Sequence, residues 1–259
     1  DCAPIKGTNP SKSLFKPNTR FTILEKIYTR FFEKESKSQK EIYFNWLNKN
    51  KSDLEKFCQS INKDIWEKSL VRTKIINIHA DKILKNIEHN LGGGGASELI
   101  SFICLNIKPK CVVETGVAAG FSTFAVLDAL AINNYGHLYS SDFPYFRISN
   151  AEKYIGVIVP QDLKKRWSLF IYGDKKNLNI INSKINEINF FHYDSDKSFK
   201  GRSRALSQIE KKFNKNTWIL IDDIQDNSHF MKYSNKAIYN WKVFNYKNKW
   251  IGLLYPKNK

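Results

Sequence analysis

The chain has 259 residues, of which 42% are hydrophobic and 14% aromatic, enough to bury the core of one large α/β domain or of two smaller ones. No stretch approaches the roughly 20 apolar residues that a membrane-spanning helix needs, so we expect no membrane partner and a cytoplasmic location. The formal net charge of +17 is spread along the whole sequence instead of forming a basic block, so a nucleic-acid partner is not expected.

The four cysteines do not indicate a metal site or a disulfide framework. They form no CxxC pair, and no histidine stands at metal-ligand spacing from them. We interpret Cys2, Cys58, Cys104 and Cys111 as reduced and mostly buried thiols.

The N-terminal third is predicted to be an arm followed by helices. Residues 1–19 are rich in Pro, Asn and Lys, and apolar residues then recur at helical spacing up to about residue 90. Four consecutive glycines at 92–95 end this pattern, because glycine is costly inside a helix. We therefore divide the chain into an arm with a helical cap (1–91) and a second domain (92–259), hinged at the glycines.

From residue 96 onward, helices alternate with short apolar strands. Helices are predicted over residues 96–107, 122–132 and 202–213, and strands over residues 111–114, 137–141, 169–172, 190–193 and 218–221. Such continuously apolar strands are typical of a parallel sheet covered on both faces. Two further strands, 241–246 and 250–255, are joined by three residues only, which predicts an antiparallel hairpin. The predicted fold class is α/β, with a mainly parallel seven-stranded sheet that ends in this hairpin.

A glycine-containing turn follows the first predicted strand. Gly116 and Gly120 have the spacing G-x-x-x-G, and Ala118 stands where a pyrophosphate-binding G-x-G-x-x-G turn has its second glycine. The turn therefore indicates a ligand that lacks phosphates but passes close to the backbone. Glu114, at the strand end, offers that ligand a carboxylate. The alternative is an ordinary tight turn in which Glu114 acts as a cap.

Three consecutive strands of the predicted sheet end in an acidic residue. These residues are Glu114, Asp142 and Asp174, and the carboxyl edge of an open parallel sheet is where such folds bind ligands. A carboxylate at this edge can accept hydrogen bonds from both hydroxyls of a ribose. We assign that role to Asp142 and place Asp174 on the adenine side.

Two further strands bring acids to the same edge. Asp194 and Asp222 follow consecutive strands, which are usually neighbours, so their carboxylates are expected roughly 5 Å apart. Ionised carboxylates that close repel each other, and a shared proton or a hard divalent cation relieves the repulsion. Mg²⁺ or a relative fits better, because ligands from two strand ends leave positions open for water and a hydroxyl. The alternative is that these acids cap the following helices.

Together these segments resemble the class I S-adenosylmethionine-dependent methyltransferases of the methyltransferase domain 24 type. The resemblance covers residues 96 to about 230 and rests on Glu-Thr-Gly-Val-x-x-Gly-Phe-Ser, Leu-Tyr-Ser-x-Asp-x-Pro, His-x-Asp-Ser-Asp-x-Ser and the pair Asp222-Asp223. It implies a Rossmann-like fold and methyl transfer from S-adenosyl-L-methionine to a small hydroxylated metabolite, such as a sugar or a natural-product intermediate. The predicted cofactor-binding residues are Ser97, Glu114, Gly116, Gly120, Ser122, Asp142, Asp174 and Asp194.

The chain is also similar, more distantly, to the metal-dependent O-methyltransferases of the catechol type. That similarity implies Asp194, Asp222 and Asp223 as ligands of Mg²⁺ or another divalent cation. It also implies Lys197 and Asp194 as catalytic residues, with Lys197 taking the proton of the acceptor. Two positions depart from these patterns: Asp223 stands where the catechol type has an amide, and Lys197 where the domain 24 type usually has His. The helical cap is expected over the substrate side of this site.

Two other functions stay open at this stage. The basic charge allows a nucleic-acid (RNA) methyltransferase, which would need a basic face and a pocket for a flipped base, but no Asn-Pro-Pro-Tyr-like motif is present after the fourth strand. A non-catalytic binding protein with the same fold would be favoured if Glu114 or Asp142 pointed away from the cleft. The expected partner is a small-molecule acceptor, met by the aromatic residues Phe143, Tyr145 and Phe146, and a homodimer stays open.

Overall fold

The computed structural model describes residues 35–145, 148–236 and 238–257. The helices are α1 (Lys37–Lys49), α2 (Leu54–Leu84), α3 (Ser97–Ile107), α4 (Phe121–Ile132), α5 (Asp174–Lys184), α6 (Phe199–Ile209) and α7 (His229–Ser234). The strands are β1 (Lys51–Ser52), β2 (Cys111–Thr115), β3 (His137–Ser141), β4 (Trp167–Phe170), β5 (Phe190–Tyr193), β6 (Trp218–Ile221), β7 (Asn240–Tyr246) and β8 (Lys249–Tyr255).

The predicted α/β fold with a C-terminal hairpin is confirmed. The strands lie in the spatial order β1-β7-β8-β6-β5-β2-β3-β4. The five strands β2 to β6 are all parallel to one another. Strand β8 is antiparallel to both β6 and β7. The sheet has one strand more than the seven predicted, because β1 pairs with β7 in parallel. With two residues, β1 is too short to produce a periodic pattern.

Two predicted elements are displaced along the sequence. Strand β4 begins at Trp167 and not at residue 169, because Trp167 is already in register with Leu138 of β3. Helix α6 begins at Phe199, three residues earlier than predicted, because the Ser198 side chain accepts a hydrogen bond from the Gly201 N–H at 3.0 Å and so caps the helix.

Alternate residues of the strands face two different apolar layers. Val112 and Leu220 pack against helices α2, α3 and α4 on one face of the sheet. Val113 and Ile219 pack against α1, α5, α6 and α7 on the other face. Within the described residues, no helix combines the length and apolar character that crossing a bilayer requires.

The helices before residue 91 belong to these two layers. Helix α2 is interrupted at Asn62, whose side chain accepts a hydrogen bond from the Ile65 N–H at 3.1 Å and so starts the helix again. Arg72 ties α2 to α4 by donating to both carboxylate oxygens of Asp128, at 2.8 and 2.5 Å. The division of the chain at residue 91 stays a prediction, and the N-terminal arm lies outside the described residues.

Three cysteines lie in the apolar layers as free thiols. Cys58 is on α2, Cys104 on α3 and Cys111 on β2, and all three are buried. Burial raises the pKa of each thiol, and that of Cys111 reaches about 12. Cys2 lies outside the described residues.

Candidate functional site

A cleft opens at the carboxyl edge of the sheet, next to β2 and β5. From β2 the chain proceeds to β3 and β4 on one side and then returns to β5 on the other, so the strand order reverses here. Open α/β sheets bind ligands at such a reversal. Of the predicted cofactor-binding residues, those that line the cleft are Gly116, Ser122, Asp142, Asp174 and Asp194. The lining does not include Ser97, Glu114 or Gly120.

The glycine turn between β2 and α4 is packed against neighbouring backbone. Gly116 has φ +83°, and a Cβ there would lie 2.3 Å from the carbonyl oxygen of Asp194. Gly120 has φ +105°, and a Cβ there would lie 2.9 Å from the Cα of Gly156. The two glycines are therefore required by close backbone contacts as well as by their left-handed φ angles. Ala118 adopts φ +51°, a conformation that is costly for any residue with a Cβ.

Asp142 holds this turn from the end of β3. Its Oδ2 accepts hydrogen bonds from the N–H groups of Val117 and Ala118 at 2.9 and 2.8 Å, and its Oδ1 accepts one from Phe143 at 2.6 Å. A carboxylate has about four acceptor positions, so one is left for a hydroxyl of a ligand. Burial raises the pKa of Asp142 to about 6, although the three N–H groups oppose the rise.

Asp174 forms another part of the cleft wall, at the first residue of α5. Its Oδ1 accepts a hydrogen bond from Ser141 Oγ at 2.7 Å, and its Oδ2 accepts one from Ser195 Oγ at 2.5 Å. An acid suits this position because the N-terminus of a helix carries partial positive charge. The predicted aromatic residue Phe143 lines the same cleft, and Phe146 lies outside the described residues.

The run of glycines before α3 forms a further wall. Gly93 and Gly95 line the cleft, and the Tyr145 hydroxyl, also in the lining, donates to the carbonyl of Leu91 at 2.8 Å. A Cβ at Gly95 would lie 2.6 Å from Asp222 Oδ2. The predicted hinge is therefore a linker that lies against the acidic end of β6. Among the described residues, neither α1 nor α2 lines this cleft, and the helical cap over the substrate side stays a prediction.

Glu114 is buried beneath the cleft instead of lining it. Its carboxylate accepts hydrogen bonds from Ser122 Oγ at 2.5 Å, Thr123 Oγ1 at 2.7 Å and Ser140 Oγ at 2.9 Å. The surrounding hydroxyls enclose the carboxylate and turn it away from the cleft, and a direct role of Glu114 in cofactor binding stays a prediction. Glu114 orients Ser122. Ser97 is likewise buried, at the first residue of α3.

His192 on β5 lies between two buried carboxylates, an arrangement that the sequence analysis did not identify. Its Nδ1 is 3.6 Å from Glu114 Oε1, and its Nε2 is 3.9 Å from Asp222 Oδ2. Burial by itself would lower the pKa of His192, but Asp222 and Glu114 raise it to about 10. The two carboxylates thus favour the protonated imidazole. The available signal was a single polar side chain within an apolar strand, in register with Glu114 on β2.

The predicted metal ligands Asp194, Asp222 and Asp223 follow β5 and β6, and we call these three residues the acid edge. Lys197 Nζ donates a hydrogen bond to Asp223 Oδ2 and lies 3.3 Å from Asp194 Oδ1. Lys249 Nζ, from β8, lies 3.5 Å from Asp223 Oδ1. The acid edge is therefore compensated by cations of the chain itself.

An ammonium, and not a metal position, lies between the carboxylates of the acid edge. In the described parts of the chain, no three His, Cys, Asp or Glu side chains are arranged so that they could hold a metal ion. The Lys197 ammonium contacts both Asp194 and Asp223, where a shared metal would have to bind. Binding of a divalent cation by Asp194, Asp222 and Asp223 stays a prediction. The capping alternative is not supported, since Ser198 caps α6 and Asp223 makes no capping hydrogen bond to the 3₁₀ turn after it.

Asp194 combines access to the cleft with an altered acidity. Burial and the nearby Asp222 raise its pKa, against the opposing effect of Lys197 and His192. Its Oδ1 is buried and faces the Lys197 Nζ at 3.3 Å. Asp194 therefore combines a place in the cleft lining with a raised pKa.

Arg202 on α6 fixes the turn that carries the acid edge. The fully buried guanidinium donates to the carbonyl oxygens of Asp222 at 3.1 Å and Asp223 at 2.7 Å, and to Asn227 Oδ1 at 3.2 Å. The Asp223 backbone is left-handed, with φ +51°. The helical pattern of the sequence could not distinguish this buried arginine from a surface one.

Residues 113–224 match the family model described as "Methyltransferase domain". The matched segment contains the glycine turn, the cleft-lining acids Asp142 and Asp174, and the acid edge. The match confirms the resemblance to the methyltransferase domain 24 type that the sequence motifs carry. No curated protein gives a significant sequence match to the chain.

Solved methyltransferase structures share the fold at low sequence identity. A methyltransferase from Geobacter sulfurreducens is 13% identical over 70% of this chain and 88% of its own, with a TM-score of 0.52. The O-methyltransferase TomG from Streptomyces achromogenes, involved in tomaymycin synthesis and solved with SAM, is 8% identical over 70% of this chain and 89% of its own, with a TM-score of 0.56. An O-methyltransferase from Bacillus cereus in complex with SAH is 12% identical over 74% of this chain and 90% of its own, with a TM-score of 0.52.

Proposed function

We propose that this chain, which contains a methyltransferase domain of the class I fold, binds S-adenosylmethionine (SAM) in the cleft and transfers its methyl group to a hydroxyl oxygen of a small molecule. The observation that carries the proposal is the glycine turn held by Asp142 at the point where the strand order reverses. The fold is shared with TomG and with the Bacillus cereus enzyme, which were solved with SAM and with its demethylated product S-adenosylhomocysteine (SAH).

The cleft has the charge and the hydrogen-bonding groups that SAM requires. Asp142 has one acceptor position left for a ribose hydroxyl, and Asp174 lines the wall on the adenine side. Asp194 adds a third carboxylate, which attracts the cationic sulfonium and amino groups of the cofactor. No phosphate has to be accommodated, so Ala118 in the turn is no obstacle.

The chemistry proposed for the chain is an in-line displacement on carbon. The acceptor oxygen attacks the methyl carbon, the carbon–sulfur bond breaks, and the sulfonium becomes the neutral thioether of SAH. We assign the acceptor proton to the carboxylate of Asp194, whose pKa is raised, and the stabilisation of the developing alkoxide to the ammonium of Lys197. Most of the rate enhancement then comes from holding the acceptor close to the methyl group.

The acceptor class that we propose is a sugar or a natural-product intermediate. Phe121, Phe143 and Tyr145 line the cleft beside the polar groups and supply apolar contact area for such a molecule. The divalent cation predicted from the sequence is not part of the proposed chemistry, because the Lys197 ammonium contacts the carboxylates that would bind it.

Isothermal titration calorimetry with SAM and SAH tests the cofactor assignment. Replacing Asp142 with Asn should weaken binding by about tenfold or more, because a charged hydrogen-bond partner contributes ~1.5–3 kcal/mol. Asp162→Asn is the matched control, since Asp162 is an exposed acid outside the cleft lining and its loss should not change the affinity. A folded wild-type protein that binds neither molecule would contradict the proposal.

Transfer of a tritiated methyl group from SAM separates an enzyme from a binding protein of the same fold. The labelled cofactor is incubated with panels of sugars and phenolic natural products, and labelled product is counted. Incorporation that disappears in Asp194→Asn supports catalysis at this edge of the cleft, whereas binding without incorporation into any acceptor favours the non-catalytic alternative.

A further inference from the structure

We propose that the ammonium of Lys197 occupies the place of a divalent cation at the acid edge, so that the site works with a built-in cation. The acid edge belongs to the cleft of the proposed methyltransferase, and the consequence for catalysis rests on that function. The exclusion of metal by Lys197 is a property of the side chains and can be measured without an acceptor or SAM.

The carboxylates of the acid edge are compensated by charges of the chain itself. Three carboxylates near one another and partly shielded from water repel, and they require counter-charges. Both oxygens of Asp223 are already engaged, Oδ2 by Lys197 and Oδ1 by Lys249 at 3.5 Å. Asp194 Oδ1 lies 3.3 Å from the same Lys197 Nζ. One ammonium therefore bridges the ends of β5 and β6, as a metal ion would.

Asp222, the remaining member of the acid edge, is held by different contacts. His192 Nε2 lies 3.9 Å from its Oδ2, and the Gly95 backbone passes close to the same oxygen. The Asp222 side chain is therefore contacted by His192 on one side and by the glycine linker on the other. A metal that recruited Asp222 together with Asp194 and Asp223 would have to displace the Lys197 ammonium from the shared carboxylates.

A divalent ion and the Lys197 ammonium would repel each other at the acid edge. A divalent ion bound to Asp194 and Asp223 would lie within a few ångströms of the Lys197 ammonium, at which distance like charges repel strongly even at an effective dielectric constant of about 20. The ammonium also has three N–H donors, so it can hold an acceptor hydroxyl as well as the carboxylates. Both tasks expected of a metal are thus available from Lys197.

The test is whether removal of the ammonium turns the acid edge into a metal site. Mn²⁺ is titrated into the SAH-free protein and followed by electron paramagnetic resonance, which measures the free ion. We expect the wild type to bind Mn²⁺ only at surface-level affinity, and Lys197→Met to bind one ion at least about tenfold more tightly, because Asp194 and Asp223, freed from the ammonium, can then ligate the ion together with water. Lys197→Gln provides a second neutral variant.

Two controls make the result specific. Lys197→Arg keeps the positive charge and should bind Mn²⁺ as weakly as the wild type. Lys184→Met removes an exposed lysine at the end of α5 and should not change Mn²⁺ binding. Thermal unfolding shows that each variant is folded; about a third of the Lys197 side chain is exposed (36%), so the substitutions should be tolerated.

Each outcome decides the inference. Tight Mn²⁺ binding by the wild type would overturn it, and so would a failure of both Lys197→Met and Lys197→Gln to bind Mn²⁺ more tightly than the wild type. SAH titrations on the same proteins report separately on the proposed function. Absence of SAH binding would contradict that function but would leave the Mn²⁺ comparison valid.

Discussion

Asp142 is engaged with the protein before any ligand arrives. Its carboxylate stabilises the strained backbone of Ala118 and keeps the glycine turn in place. A ligand hydroxyl therefore meets an acceptor that is already oriented, and little conformational entropy has to be lost on binding. The same burial that orients Asp142 also raises its pKa, so its charge is sensitive to mild acid.

We predict that SAH affinity falls as the pH drops through about 6, the pKa of Asp142 in the free protein. The ionised carboxylate is the form that accepts a ribose hydroxyl, so affinity should be constant above about pH 7 and fall by up to about tenfold per pH unit below 6. Calorimetric titrations between pH 5 and pH 8 measure this dependence. Asp142→Asn should bind more weakly at pH 8 and lack the decrease, and a wild-type profile that is flat to pH 5 would refute the prediction.

His192 holds two buried negative charges in place, and we predict that its replacement is strongly destabilising. His192→Phe leaves Glu114 and Asp222 without their shared counter-charge, which should lower the free energy of unfolding at pH 7 by about 3–5 kcal/mol. The comparison variant is His89→Phe, since His89 is exposed. Urea denaturation monitored by circular dichroism gives both values.

The same histidine predicts how stability depends on pH. Its pKa is raised from 6.5 to about 10 in the folded protein, so its contribution is fully present below about pH 6.5 and is lost as the pH rises through about 10. The difference in unfolding free energy between the wild type and His192→Phe should therefore shrink over this interval. A constant difference would show that the imidazole is not the charge that holds the two acids.

Among the elements, the linker before α3 connects the N-terminal helices to the site. Its glycines are not equivalent, because a Cβ at Gly95 would lie 2.6 Å from Asp222 Oδ2 and one at Gly93 would meet no atom within 4 Å. We predict that Gly95→Ala displaces the linker or the carboxylate, lowers stability by about 1–3 kcal/mol and weakens SAH binding. Gly93→Ala should leave the stability unchanged, because its Cβ would meet no atom of the described protein. Thermal melts and calorimetry measure both effects, and indistinguishable variants would argue against a close linker.

The elements also show what could be predicted from the sequence. Apolar strands between helices, the short hairpin loop and the acids at strand ends indicate the fold and the edge that carries the cleft, because these features are local. The direction of a side chain is not local. Glu114 points into the core because three hydroxyls from α4 and β3 surround it. Lys197, which follows β5, contacts Asp223, which follows the neighbouring strand β6. Strand β1 pairs with β7 nearly 200 residues later in the sequence, and no short window reveals that pairing.

For the whole molecule, the two apolar layers make the N-terminal helices part of the core. Helix α2 buries Cys58, Trp66, Ile76 and Ala80 in the layer that also contains α3 and α4. We predict that a chain starting at Leu91 does not fold cooperatively. Deletion of the preceding residues removes α2, which exposes that layer to solvent, and it removes the Arg72–Asp128 ion pair. Soluble yield and the thermal transition by circular dichroism test this. A truncated chain that melts cooperatively and binds SAH would show that the first 90 residues are dispensable for the fold.

The buried thiols give this protein internal reporters of how it opens. Alkylating reagents react with thiolates, so Cys58, Cys104 and Cys111 are protected twice, by inaccessibility and by their raised pKa values. Each becomes reactive only when its own element separates from the sheet, and elements of a native protein open with different free energies. In a Cys2→Ser background, pulses of iodoacetamide followed by peptide mass spectrometry should label Cys58 on the outer helix α2 before Cys104 and Cys111. Equal labelling rates at all three cysteines would mean that the thiols of the helical layer and of the sheet become accessible to the reagent only through global unfolding.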